Sequence, residues 1–352
     1  MNESSSRPAS LATSSVVVSE TELIAYRETL KAYRMDAAWA RPPGFVPEPP
    51  DEGPAVWHWR DVREPLLRSA NLIGTREVER RILSLVQGTK LTSNLQLVMP
   101  GEIARAHRHT MAALRMIIES EGAYTVVEGD LLPMAPGDLV TTPNWTWHDH
   151  ANVTGAPAIW LDGLDVPLVA GALGARLQEG YPEDAQRPRE DADVSLLKYG
   201  TGGLLPAWEN WGQPYSPLFH YPWARAKAAL DGLAAVETGS PFDGVIMQYT
   251  NPTSGGPVMP TIACYCQVLK PRQRTRSHRH TSAAIYHVIE GEGYSVVDGT
   301  RLDWETKATF CVPQSSFHEH VNASPSQPAY LFSYTDDPVY RSLALYREEA
   351  AP

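Results

Sequence analysis

The chain has 352 residues and a net charge of −11, with 30 basic against 41 acidic residues, so neither nucleic acid nor an anionic membrane would attract it by bulk electrostatics. No apolar run reaches the eighteen or so residues of a membrane helix, the polar start Met1-Asn2-Glu3-Ser4-Ser5-Ser6 does not read as a signal peptide, and Cys264, Cys266 and Cys311 are too few for a disulfide framework. The length suits two ordinary cores, and the cysteine usage suits a reducing cytoplasm.

Residues 1 to about 18 are small and polar and are expected to be disordered. Ser19 with Glu22 forms a capping box, and Leu23, Tyr26, Leu30 and Tyr33 recur at helical spacing, which predicts a helix from about Glu20 to Met35. The proline-rich run Pro42 to Pro54 reads as an extended arm, with Trp57-His58-Trp59-Arg60 packed beneath it. From Glu77 the pattern turns strand-like, Arg80 and Arg81 preceding Ile82-Leu83-Ser84-Leu85, and Thr92 to Met99 forms the next strand.

The stretch from Gly101 to Asn152 organises what surrounds it. His107 and His109 are two apart, so on a strand their imidazoles leave one face and can hold one ion. His148 follows after a span that suits a few short strands folded back into a small barrel, and Glu121-Gly122, Glu128-Gly129-Asp130 and Ala135-Pro136-Gly137-Asp138 supply the turns. Trp145 and Trp147 read as packing residues. Three neutral imidazoles suit zinc, copper, nickel or manganese among others.

Residues 166 to 240 mix Gly, Pro and charge irregularly and read as an inter-domain connection with one helix, about Trp223 to Val236. The second half then repeats the first. His278-Arg279-His280-Thr281 lies 171 residues after His107-Arg108-His109-Thr110, and Phe317-His318-Glu319-His320 repeats Trp147-His148-Asp149-His150 at an offset of 170. An internal duplication of this kind predicts two barrels in one chain. The copies differ: Arg272 replaces the glycine matching Gly101, Lys307 replaces that matching Gly137, and Tyr286 stands where Arg115 stood.

Gly101, His107 and His109, followed by Gly137, Pro143, His148 and Asn152, resemble the two motifs of a cupin, except that the usual glutamate ligand is absent: Ala113 and Leu114 occupy its positions. That three-histidine variant, with Arg115, Glu119-x-Glu121-Gly122 and Trp145-Thr146-Trp147-His148-Asp149-His150, resembles the gentisate and salicylate 1,2-dioxygenases. The resemblance implies a mainly β bicupin: two double-stranded β-helix (jelly-roll) barrels with an N-terminal helical arm. Residues 1–70 are expected to hold the disordered start, the helix and the proline-rich arm, 71–165 the first barrel, 166–240 the connection and 241–345 the second barrel.

It also implies Fe(II) on His107, His109 and His148, a small aromatic acid and dioxygen as reactants, and a homotetramer. The reaction would open the ring between the carboxyl-bearing and hydroxyl-bearing carbons in aromatic catabolism. Arg115 would bind the carboxylate, since a guanidinium fork suits that task, with Arg81 assisting. His150 would hydrogen-bond the phenolic oxygen or shuttle its proton, oriented by Asp162. Relatives that cleave unsubstituted salicylate carry tryptophan and glycine at the positions of Thr92 and Asn94, so these two residues favour a 5-substituted salicylate such as gentisate or 5-nitrosalicylate. His278, His280 and His318 keep ligand spacing for a possible second metal. The competing expectation is a metal-dependent isomerase or decarboxylase that uses no dioxygen.

Overall fold

The computed structural model describes residues 13–41, 53–78 and 80–352. Most of the polar start and of the proline-rich run lies outside the described residues. Among those described, no helix is long and apolar enough to cross a membrane.

Ser19 caps the helix Glu20–Lys31, and both halves of the capping box with Glu22 are formed. The helix stops short of Met35 because Arg34 adopts a positive φ of 52° and the chain turns into the strand Met35–Ala37, paired with Ile82–Leu85 of the first barrel. The expected arm therefore belongs partly to a sheet. The same holds for Ala55–Trp57, which pairs with Thr309–Val312 of the second barrel. The helix Trp59–Ser69 follows, with Pro65 inside it. His58 sits at its start with Nδ1 2.8 Å from Glu305 Oε2, and it belongs to neither histidine cluster.

In each half, two antiparallel sheets build the barrel. Among the described residues, the first has a seven-stranded sheet in the order Met35–Ala37, Ile82–Leu85, Thr92–Val98, Ala158–Leu164, Ala113–Glu119, Leu139–Thr142, His220–Tyr221. Its five-stranded sheet runs Gln178–Gly180, Ile103–His109, His148–Ala151, Tyr124–Val127, Asp130–Pro133. The sequence between the barrels thus supplies two strands, Gln178–Gly180 and His220–Tyr221, as well as the helix Trp223–Val236 at its expected place. In the second half, sheets of six and five strands repeat the plan, and the strand Glu348–Ala350 closes beside His278–His280.

Tight turns set the registers. Glu128 and Gly129 both take positive φ, 49° and 80°, the pairing that lets a two-residue turn follow the twist of its strands. Lys307 and Arg272, which replace two glycines of the first copy, nonetheless keep left-handed φ values of 70° and 60°. Each such residue costs on the order of 1 kcal/mol, and the surrounding barrel outweighs it.

The long sheets present their outer faces to each other. Leu95, Leu97, Leu114, Met116 and Leu161 of one share a single buried core with Cys264, Cys266, Ile285, Cys311 and Phe332 of the other. All three cysteines are free and buried there, where a thiol packs as a small apolar group. Contact between the barrels is tight: a side chain at Gly163 would meet the Tyr334 ring at 2.6 Å. The Tyr334 hydroxyl in turn reaches Ser93 and the Thr92 carbonyl.

Candidate metal centre and substrate pocket

Strand alternation in Ile103–His109 sends His107 and His109 into the barrel, and antiparallel pairing sets His148 directly opposite His107. The three rings lie 4.6–5.3 Å apart by centroid, all three residues are buried, and their ligand atoms fall within 4.8 Å of one another. Backbone carbonyls fix two of the rings: His109 Nδ1 donates to Met111 O at 2.8 Å and His148 Nδ1 to Thr146 O at 2.9 Å. That leaves Nε2 with the free lone pair, and His148 Nε2 is buried without any hydrogen-bond partner. An orphaned acceptor so placed fits a metal ligand.

Burial foremost holds the His107 and His148 imidazoles well below their usual range, followed by the Arg80 charge for His107 and by the neighbouring His107 and His109 for His148, while His109 falls to about 4, again through burial foremost. All three are therefore neutral near pH 7, as metal ligation requires.

The opposite sheet supplies the other polar groups. Register aligns Ser84, Asn94, Asp162 and Arg115 in one row across four strands, all on the interior face. Arg115 is buried, donates from Nη1 to Thr142 Oγ1 at 2.7 Å, and holds Nε 3.5 Å from Asp162 Oδ1. Asp162 also accepts from the Trp160 indole at 2.8 Å. Burial pushes the Asp162 carboxyl up to about 6 although Arg115 pulls it down, and burial likewise lowers Arg115 despite Asp162. For both partners desolvation outweighs pairing.

His150 joins the cluster from the strand His148–Ala151. Its Nδ1 lies 2.8 Å from Thr125 Oγ1, its ring packs 5.1 Å from Trp160, and its Nε2 is buried and unpartnered. Thr125, not Asp162, therefore orients His150, which corrects the expected pairing. A sequence offers no signal for Thr125, because its place opposite His150 is a matter of sheet register.

Arg81 also needs correction. It lies on the outward face of its strand, fully buried, with Nη1 and Nη2 each 2.8 Å from the Glu102 carboxylate. Burial pushes the Glu102 carboxyl up, but the Arg81 hydrogen bonds and charge more than offset it. Arg80, one residue earlier, faces inward: its Nη2 lies 2.9 Å from His107 Nδ1. Breaking a buried ion pair from one side costs about 3–5 kcal/mol. Arg81→Met should therefore lower unfolding free energy by that amount in urea titrations while leaving KM unchanged; a raised KM at unchanged stability would return Arg81 to the pocket.

Thr92 spends its hydroxyl on Leu164 O at 3.3 Å, so it offers no free donor to a substituent. Asn94 accepts from the Ser84 hydroxyl at Oδ1, 2.6 Å away. Gln96, absent from the expected site, lies two residues on along the same face with Nε2 buried and unpartnered. Trp145 and Trp147 are not core residues; they flank the Arg108 guanidinium at 4.5 and 4.3 Å. In the second barrel His278, His280 and His318 converge in the same way, with ring centroids 4.3–5.7 Å apart.

Two barrels, each with three converging imidazoles, define a bicupin. A cupin domain family model matches residues 94–165 and 265–334. The 5-aminosalicylate 1,2-dioxygenase of a Comamonas species is 41% identical over 346 residues, covering 94% of this chain and 91% of the relative. A gentisate 1,2-dioxygenase of Aquipseudomonas alcaligenes is 38% identical, covering 84% and 86%. The salicylate 1,2-dioxygenase of Pseudoaminobacter salicylatoxidans, solved as adducts with gentisate, superposes with a TM-score of 0.79 at 28% identity over 95% of each chain. The chain belongs to the gentisate/salicylate 1,2-dioxygenase family of ring-cleaving bicupins. These relatives all use dioxygen, and they favour that reading over the isomerase or decarboxylase alternative.

Proposed function

We propose that the first barrel cleaves the ring of a 5-substituted salicylate, with Fe(II) held by His107, His109 and His148. The observation that carries this reading is the meeting of three buried imidazoles with two guanidinium groups, Arg80 and Arg115, in one barrel interior. Ferrous iron, held by His107, His109 and His148, would supply the Lewis acidity and the redox chemistry that activate dioxygen toward the ring.

The protein groups act on the acid itself. Arg115 is fixed through Nη1 by Thr142 and through Nε by Asp162, and its remaining Nη2 would donate to the carboxylate. Arg80 adds a second positive charge to the same space. His150 is neutral near pH 7, because burial and Arg115 hold it well below its usual range. With Nδ1–H donated to Thr125, its Nε2 carries the lone pair that would accept the phenolic proton of the bound acid.

Asn94 sets the preference among acids. Its Oδ1 is taken by Ser84, so its Nδ2 faces the barrel as a donor. A 5-hydroxyl, 5-amino or 5-nitro group offers that donor a lone pair, and the hydrogen of unsubstituted salicylate does not. The 41% and 38% identical relatives are named for 5-aminosalicylate and for gentisate, the 5-hydroxy acid, which supports this choice.

The test is dioxygen uptake by anaerobically iron-loaded protein offered gentisate, 5-aminosalicylate, 5-nitrosalicylate, salicylate and 1-hydroxy-2-naphthoate in turn. The 5-substituted acids should exceed salicylate at least about tenfold in kcat/KM, an advantage of about 1.4 kcal/mol, and Asn94→Gly should shrink that ratio. Iron-loaded protein that consumes no dioxygen with any of them would overturn the reading.

A further inference from the structure

The two histidine clusters are alike in shape and opposite in charge. By strand register Ile82 and Ile246 both pair with a glutamine, Gln96 and Gln267, so the position of Arg80 in the first barrel is held by Gly244 in the second. Next to that glycine Asp243 turns in, with Oδ1 4.0 Å from His278 Nε2. The strand beside the histidines changes sign as well. Gln178 pairs with His109, while Glu348 pairs with His280 and sets Oε1 3.9 Å from His278 Nε2. Tyr286 takes the place of Arg115, stacked on Phe310 at 4.8 Å. Where the first cluster faces two guanidinium groups, the second faces two carboxylates.

We propose that the second barrel is a separate divalent-cation site, with His278, His280 and His318 as imidazole ligands and Asp243 and Glu348 as carboxylate ligands, and that it admits no aromatic acid. His318 is fully buried with Nε2 unpartnered, its Nδ1 being donated to Ser316 O at 3.0 Å. His280 Nδ1 donates likewise to Ser282 O at 2.8 Å, which leaves its Nε2 free. The 3.9 and 4.0 Å separations are too long for hydrogen bonds. They are the spacing of donors that flank one ion, since ligands about 2.1 Å from a metal stand roughly 3–4 Å apart.

Mixed imidazole and carboxylate donors suit Fe(II), Mn(II) or Zn(II). The carboxylates have capacity to spare: Asp243 accepts from Ser240 at one oxygen and Glu348 from Tyr346 at one. The adjoining cavity, about 190 Å³, also contains Arg341, but Asp337 holds that guanidinium at 2.6 Å. A benzoate-type acid would have to displace Asp243 or Glu348 before its carboxylate could reach the ion, and would find Tyr286 in the place of a carboxylate-binding guanidinium.

The test is metal content per chain after anaerobic loading with Fe(II), Mn(II) or Zn(II), together with calorimetric titration by salicylate. Wild type should hold two equivalents yet bind one salicylate. His318→Ala should hold one, with ring-cleavage kcat within about twofold of wild type. The double variant Asp243→Asn/Glu348→Gln, which keeps the shape of both side chains, should weaken the second equivalent at least tenfold and leave the first unchanged. A single equivalent in wild type with every metal, a second equivalent that survives in His318→Ala, or two salicylates per chain would overturn the proposal. Metal counting requires no turnover, so its failure is separable from failure of the first-barrel reading.

Discussion

Alanine at position 148 is expected to remove one equivalent of metal from the first barrel and to reduce ring cleavage by about a thousandfold or more. His148 brings the imidazole that closes the set begun by His107 and His109, and its Nε2 has no other partner. Two imidazoles on one strand hold a divalent ion far more weakly than three, two of them fixed by backbone carbonyls. Metal analysis on the purified variant checks the first half and oxygen uptake the second. Circular dichroism should remain that of wild type, because an alanine at this place removes a ring from the cavity side and not from the shared core. A variant that keeps both metal and turnover would dissolve the three-histidine site.

For Arg115→Ala the expected result is a fall in kcat/KM for the aromatic acid of about a hundred- to a thousandfold, corresponding to roughly 3–4 kcal/mol for losing the partner of a buried charge. Arg115→Lys should recover little, since an ammonium cannot repeat the donation to Thr142 and to substrate in one plane. The pH profile carries a second signature. Burial raises Asp162 to about 6, so the carboxylate facing Arg115 takes up a proton as pH falls through that value, and kcat/KM should decline on the acid side there. Linkage gives the matching sign for stability: between the unfolded carboxyl value near 4 and about 6 the folded chain binds more protons, so this group's contribution to stability declines as pH rises through that window. Asp162→Asn should flatten the acid limb. An unchanged limb would assign it to another group.

Much of the architecture is legible in the sequence because it rests on local patterns. The capping box at Ser19 and Glu22, the helical period from Trp223 to Val236 and the two His-x-His copies depend on spacings of a few residues. What the sequence hid depends on partners far away. Whether Arg80 or Arg81 faces inward is a question of parity, settled by the pairing of Ile82 with Gln96. Thr125 holds His150 only because their strands run side by side. Met35–Ala37 and Ala55–Trp57 are too short to show alternation, and Pro65 masks the helix from Trp59 to Ser69.

Those short early strands carry a consequence for how the protein is made. Ala55–Trp57 leaves the ribosome about 250 residues ahead of the strand Thr309–Val312 that it completes. At about 5–20 residues per second, that is a wait of roughly ten to fifty seconds. Throughout synthesis of the first barrel and most of the second, a strand ending in the buried Trp57 has no edge to join. Until that partner strand emerges, the native contact that buries Trp57 cannot form, so this pairing is among the last events in folding during synthesis.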